Sequence, residues 1–153
     1  MDAKDYMAIA LKEAKKAFDK DEVPVGVVLV DNLTGKIVAR AHNKTEYGLD
    51  PTAHAEIQAI QKAAKKLQSK RLWHLDMYVT LEPCTMCAAA ISFARIENLF
   101  IGATDEKGGA VLSGVKFFES PTCHHKPNVI TGILAGESSD LLKTFFKNKR
   151  TKA

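Results

Sequence analysis

The chain has 153 residues, 46% hydrophobic and 26% charged, with a formal net charge of +4. That length suits one domain with a full core, read here as 1–153, and the composition excludes a disordered, repetitive or collagen-like chain. No run approaches the roughly 20 apolar residues of a membrane-spanning helix, and the charged opening lacks the apolar stretch of a secretory signal, so a cytoplasmic protein without a membrane partner is expected.

From Asp2 to about Lys20, Tyr6, Ala10, Ala14, Ala17 and Phe18 recur at helical spacing with lysines between them, which predicts an amphipathic helix. Val23 to Val30 is a short β-branched run that reads as a buried strand, and Ile37 to His42 returns after a turn-like Asp31–Lys36 as the second arm of a hairpin. Asn43 to Pro51 reads as a loop. A helix is then expected from Pro51-Thr52, with Thr52 as a cap, through about Lys70. Asp76 to Leu81 is a third strand and Cys84 to about Arg95 a helix that is apolar nearly all round, hence buried in the core or against another subunit. Glu97 to Gly102 is a fourth strand. Ala103 to about Lys126 shows no firm period, Asn128 to Thr131 is a short fifth strand, and Ile133 to about Lys149 is a last amphipathic helix. Strands alternating with helices after a hairpin make a layered α/β domain.

Two motifs carry chemistry. His54-Ala55-Glu56 opens one predicted helix, and Pro83-Cys84-Thr85-Met86-Cys87 opens another with a strand between them. One histidine and two cysteines suit a zinc ion, one per chain, with the fourth tetrahedral position left for water and Glu56 beside it to move protons. Cys84 and Cys87, three apart, share a helical face, and the helix start favours thiolate. A Cys-x-x-Cys alone reads equally as a redox pair, and a lone histidine at a helix start is more often structural. The combination with an adjacent carboxylate is what points to hydrolysis. Cys123 is left as a free thiol; a fourth ligand from Cys123, His124 or His125 would close the site and leave the glutamate without a task. Lys143, Lys147, Lys149, Arg150 and Lys152 crowd the C-terminus with no acid after Asp140, a pattern shared by phosphate-contacting patches and by solvated helix ends.

These motifs resemble the zinc deaminases of the cytidine deaminase superfamily. Asp50 to Glu56, Thr80 to Cys87, Val23-Pro24-Val25-Gly26, Gly102 to Asp105 and Phe145 to Arg150 resemble, more narrowly, the bacterial tRNA-specific adenosine deaminases. The resemblance spans nearly the whole chain and is weakest at Leu112–Val115 and Thr122–His125. It implies a three-layer α/β/α cytidine-deaminase-like fold around a mixed five-stranded sheet. It also implies a homodimer that uses the cysteine-bearing helix, with a tRNA anticodon stem-loop as partner. The implied activity is conversion of wobble adenosine to inosine. The roles implied are His54, Cys84 and Cys87 as zinc ligands, Glu56 as proton shuttle, Asn43 and the Ala55 backbone on the purine, Pro83 near the leaving amine, and Asp105 in a loop meeting the substrate. The resemblance also favours RNA contact by Lys147, Lys149 and Arg150. Two other readings compete: a deaminase of a free nucleobase or nucleoside (guanine, cytosine or adenosine), which needs no basic tail, and a non-catalytic zinc module with four protein ligands.

Overall fold

The structure, a computed structural model, describes residues 1–152, with side chains through Arg150; the side chain of Lys152 lies outside the described residues. The elements in chain order are helix α1 (Ala3–Asp19), strands β1 (Gly26–Asp31) and β2 (Ile37–His42), helix α2 (Ala55–Leu67), strand β3 (Leu75–Leu81), helix α3 (Thr85–Ala94) and strand β4 (Asn98–Ala103). A short 3₁₀ turn (Phe117–Glu119), strand β5 (Asn128–Ile130) and helix α4 (Ala135–Lys152) follow. Among the described residues no helix is long and apolar enough to cross a membrane.

The five strands form one sheet in the order β2-β1-β3-β4-β5. β1 is antiparallel to both β2 and β3, whereas β3, β4 and β5 run parallel, so the sheet is mixed. Successive side chains of a strand point to opposite faces, and β1 shows the consequence. Val27 and Leu29 join the core beneath α2 and α3, while Val28 and Val30 join the core beneath α1. α4 lies on the α1 side, with Phe145 edge-on to Phe18 at 5.9 Å between ring centroids. The result is a three-layer α/β/α architecture, as expected.

Gly26 shows how closely the layers approach. A Cβ there would collide with the carbonyl oxygen of Ala10 and lie 2.5 Å from the Ala14 nitrogen, so only glycine lets α1 seat on β1. α1 itself starts on a reciprocal cap, the Asp5 N–H donating to the Asp2 carboxylate at 3.0 Å and the Asp2 N–H to Asp5 at 2.9 Å.

Three details differ from the sequence expectation. α2 starts at Ala55 rather than at Pro51-Thr52, because Asp50 captures both the backbone N–H and the hydroxyl of Thr52 (2.8 and 2.7 Å) and holds that stretch as a turn. The same helix ends at Leu67, three residues before the expected Lys70, where Gln68 turns left-handed (φ 53°). The first strand starts at Gly26, since Val25 donates back to the Val23 carbonyl around Pro24.

Candidate active site

The sheet register brings the site together. Gly26 at the start of β1 faces His42 at the end of β2, and β1 runs antiparallel to β3, so the segments before β1 and after β2 meet the end of β3. β4 runs parallel to β3 with Leu81 opposite Ala103, which adds the segment after β4. Asn43, the Cys84 turn and Asp105 therefore converge at one end of the strands.

His54 and Cys84 are the N-cap residues of α2 and α3, both with extended backbone. An N-cap side chain ordinarily accepts from the first turn of its helix. Neither does so here, and both side chains face the site instead. Cys84 Sγ lies 3.6 Å and Cys87 Sγ 3.5 Å from His54 Nδ1, and the three donor atoms all lie within 4.8 Å of one another. A sulfur and a nitrogen bonded to one tetrahedral zinc at about 2.3 and 2.0 Å stand roughly 3.5 Å apart. The donors are thus spaced to hold a metal ion.

Their protonation fits that role. The hydrogen bond from the Cys87 thiol, with help from His54, holds the Cys84 thiol down at about 4 against the opposing effect of burial. The same bond and its burial push Cys87 up, and the bond to Cys84 raises the His54 imidazole. Protons shared among three donors in this way are what a divalent cation displaces. Glu56, in the first turn of α2, is only 4% exposed, and burial pushes its carboxyl up to about 7 in the metal-free protein.

A cavity of about 340 Å³ opens at this cluster, the size of a site for one small molecule or one base. His54, Glu56 and Cys84 line it together with Asn43, Thr45, Glu82, Asp105 and Gly108, and Val23, Val25 and Leu81 supply apolar wall. Asn43 and Asp105 thus share a cavity with Glu56. Ala55 and Pro83, next to His54 and Cys84 in the chain, are buried and are not among the lining residues. The C-terminal cations lie elsewhere: Lys149 pairs with Asp21 and sits 5.6 Å from the Phe145 ring centre, while Lys147 and Arg150 are exposed. His125 Nε2 is 2.7 Å from the Ile96 carbonyl oxygen and Cys123 bonds the His125 carbonyl, and among the described residues neither joins the donor cluster. A larger groove of about 540 Å³ along α2 and α3 contains none of the donors.

Two residues outside the expected set shape the cavity. Glu22, 1% exposed, accepts from the N–H groups of Glu46 and Tyr47 (3.1 and 2.6 Å) and anchors the loop after Asn43. Glu82, 3% exposed, anchors the loop after β4 in the same manner. A single acid closing the apolar run Met77 to Leu81 is the sequence signal for Glu82.

Residues 1–150 match the family model of the MafB19-like deaminases. The tRNA-specific adenosine deaminase of Agrobacterium fabrum is 56% identical over 145 residues, covering 95% of this chain and 94% of that protein. The chain belongs to the tRNA-specific adenosine deaminase family. A second family member, from Aquifex aeolicus, is 44% identical over 145 residues, covering 95% of this chain and 94% of its own. A deaminase structure solved in a study of A-to-I editing at the wobble position of transfer RNA superposes with a TM-score of 0.87. It is 55% identical to this chain and covers 90% of it and 99% of its own length. The resemblance read from the motifs is thereby confirmed as kinship over nearly the full chain, and with it the three-layer deaminase fold.

Proposed function

We propose that the protein hydrolyses the exocyclic amine of adenosine at the wobble position of a tRNA, leaving inosine and releasing ammonia. The observation that carries this reading is the buried Glu56 carboxyl sharing one base-sized cavity with three donors at metal-ligand spacing. His54, Cys84 and Cys87 would hold a zinc ion, one per chain. When bound, that ion supplies Lewis acidity that brings water toward ionisation near neutral pH. Glu56 takes one proton from that water and places it on the ring nitrogen N1 as oxygen adds at C6; it then takes the second proton from the new C6 hydroxyl and hands it to the amine, so that the C6–N bond breaks, ammonia leaves and the oxygen stays as the C6 carbonyl of inosine. Burial serves this shuttle, because it disfavours the charged carboxylate and so eases the return of each proton that Glu56 accepts. Asn43 and Asp105, on the cavity wall, would orient the base. Reaching that atom requires the adenosine to leave its stack, which an anticodon loop permits.

The exposed Lys147 and Arg150 supply phosphate contacts in this reading, and Lys149 joins them through the exposed part of its side chain. Purified protein is expected to form inosine in an anticodon stem-loop bearing wobble adenosine and to leave free nucleobases unchanged, with KM for the RNA rising as salt rises. Ammonia from free bases alone would overturn the assignment of RNA as substrate.

A homodimer completes the reading. α3 buries Cys87, Ala88 and Ile91 against the core but leaves Phe93 75% exposed beside the groove it shares with α2. A second copy covering that face removes the aromatic ring from water. Phe93→Asp is expected to shift the solution mass from dimer to monomer by light scattering; a wild-type monomer would refute the assembly.

A further inference from the structure

Glu82 is a buried carboxylate whose partners are not cations. Its Oε1 accepts from the Asp105 N–H at 2.9 Å and the Ser113 hydroxyl at 3.2 Å, and its Oε2 accepts from the N–H groups of Val111, Leu112 and Ser113 at 3.1, 2.9 and 3.1 Å. Among the described residues no ion pair reaches it. The backbone from Asp105 to Ser113 is therefore wrapped around one negative charge, and hydrogen bonds to an ionised acceptor are the stronger kind.

The wrap is tight. At Gly109 a Cβ would lie 2.5 Å from both Glu82 Oε2 and the Asp105 carbonyl oxygen, so a side chain there has no room while the carboxylate is in place. The Ala110 N–H donates to the Pro83 carbonyl at 2.9 Å, which ties the loop to the segment delivering Cys84. The outer end of the same loop carries Asp105 and Gly108, both on the cavity wall. This stretch has no regular secondary structure of its own, so the carboxylate takes the place that a sheet ladder or helix would otherwise fill.

We propose that Glu82 is a positioning residue for the RNA substrate, holding the Asp105–Ser113 loop as the wall against which the target nucleotide and its neighbours seat. The inference rests on the assignment of a tRNA adenosine as substrate. It separates two neighbouring glutamates by role: Glu56 acts on the reacting atoms, and Glu82 acts on binding through the loop.

The test compares the wild-type protein with Glu82→Gln and Gly109→Ala. Glutamine turns an NH₂ toward donors that need an acceptor, and alanine pushes the loop away with Glu82 intact, so the two changes reach one defect by different routes. Both variants are expected to keep the wild-type metal content and to show faster amide hydrogen exchange over residues 105–113. On a stem-loop RNA with wobble adenosine, KM rises by about tenfold or more while kcat stays within about threefold, the pattern of lost binding rather than lost chemistry. Should Glu82→Gln fail to fold, Gly109→Ala carries the same readouts. Loop amides that exchange as in the wild type, or a loss confined to kcat, overturn the role of Glu82. A wild-type protein inactive on the RNA instead removes the substrate assignment, and with it the substrate assigned to this loop.

Discussion

Glu56→Gln is expected to lower turnover by about 10² to 10⁴, the usual contribution of a positioned acid/base group, while metal content and RNA affinity remain those of the wild type. The substitution keeps the shape of a side chain that is 4% exposed and removes only its ability to exchange a proton. Because burial disfavours the charged form of this carboxyl, a neutral amide in its place costs the fold little. Single-turnover deamination of a stem-loop RNA, with metal analysis of the same preparation, separates the two effects. Turnover retained in Glu56→Gln would take this residue out of the mechanism.

Metal removal is the second large effect. Stripping the protein with a chelator should abolish deamination and lower the thermal midpoint, because a ligand bound only by the folded state stabilises it by about 2.7 kcal/mol at 100 times its Kd. Cys87→Ala, which deletes a fully buried donor from the group of three, should bring the same loss without a chelator, with bound metal falling well below one per chain. Cys123→Ser should leave metal content unchanged, since that thiol bonds the His125 carbonyl and lies outside the donor cluster. An unchanged midpoint and full activity after chelation would show that the cluster is not a metal site.

The basic C-terminus illustrates how a composition signal divides once the fold is known. Lys147, Lys149 and Arg150 look equivalent along the sequence. In the structure all three are exposed, but Lys149 pairs with Asp21, just after α1, and sits beside the Phe145 ring of its own helix. Helix periodicity alone does not distinguish them, because the partner of Lys149 is 128 residues away.

The start of α2 shows a similar limit. Pro51 and Thr52 are sound helix-entry signals, yet the local competition from Asp50 moves the start to Ala55 and makes His54 the cap. That shift matters to the site, since a cap residue with extended backbone turns its side chain away from the helix barrel and toward Cys84 and Cys87.

The sequence by itself determined the reaction type. His54, Glu56, Cys84 and Cys87 stand in two short motifs whose internal geometry is local: i, i+3 on one helix turn and i, i+2 across a helix start. Local geometry is legible without a fold. The strands and helices were legible for the same reason, from runs of β-branched residues and from the spacing of Tyr6, Ala10, Ala14 and Ala17. What only the tertiary structure decided is what surrounds the motifs. Asn43 and Asp105 reach one cavity because β1 pairs antiparallel with both β2 and β3 while β4 pairs parallel with β3, a choice of register made by long-range hydrogen bonds. Glu22 and Glu82 become loop anchors only because distant N–H groups close around them, from 23 to 31 residues away. No period or motif encodes such contacts, since each depends on where the chain returns after crossing the sheet.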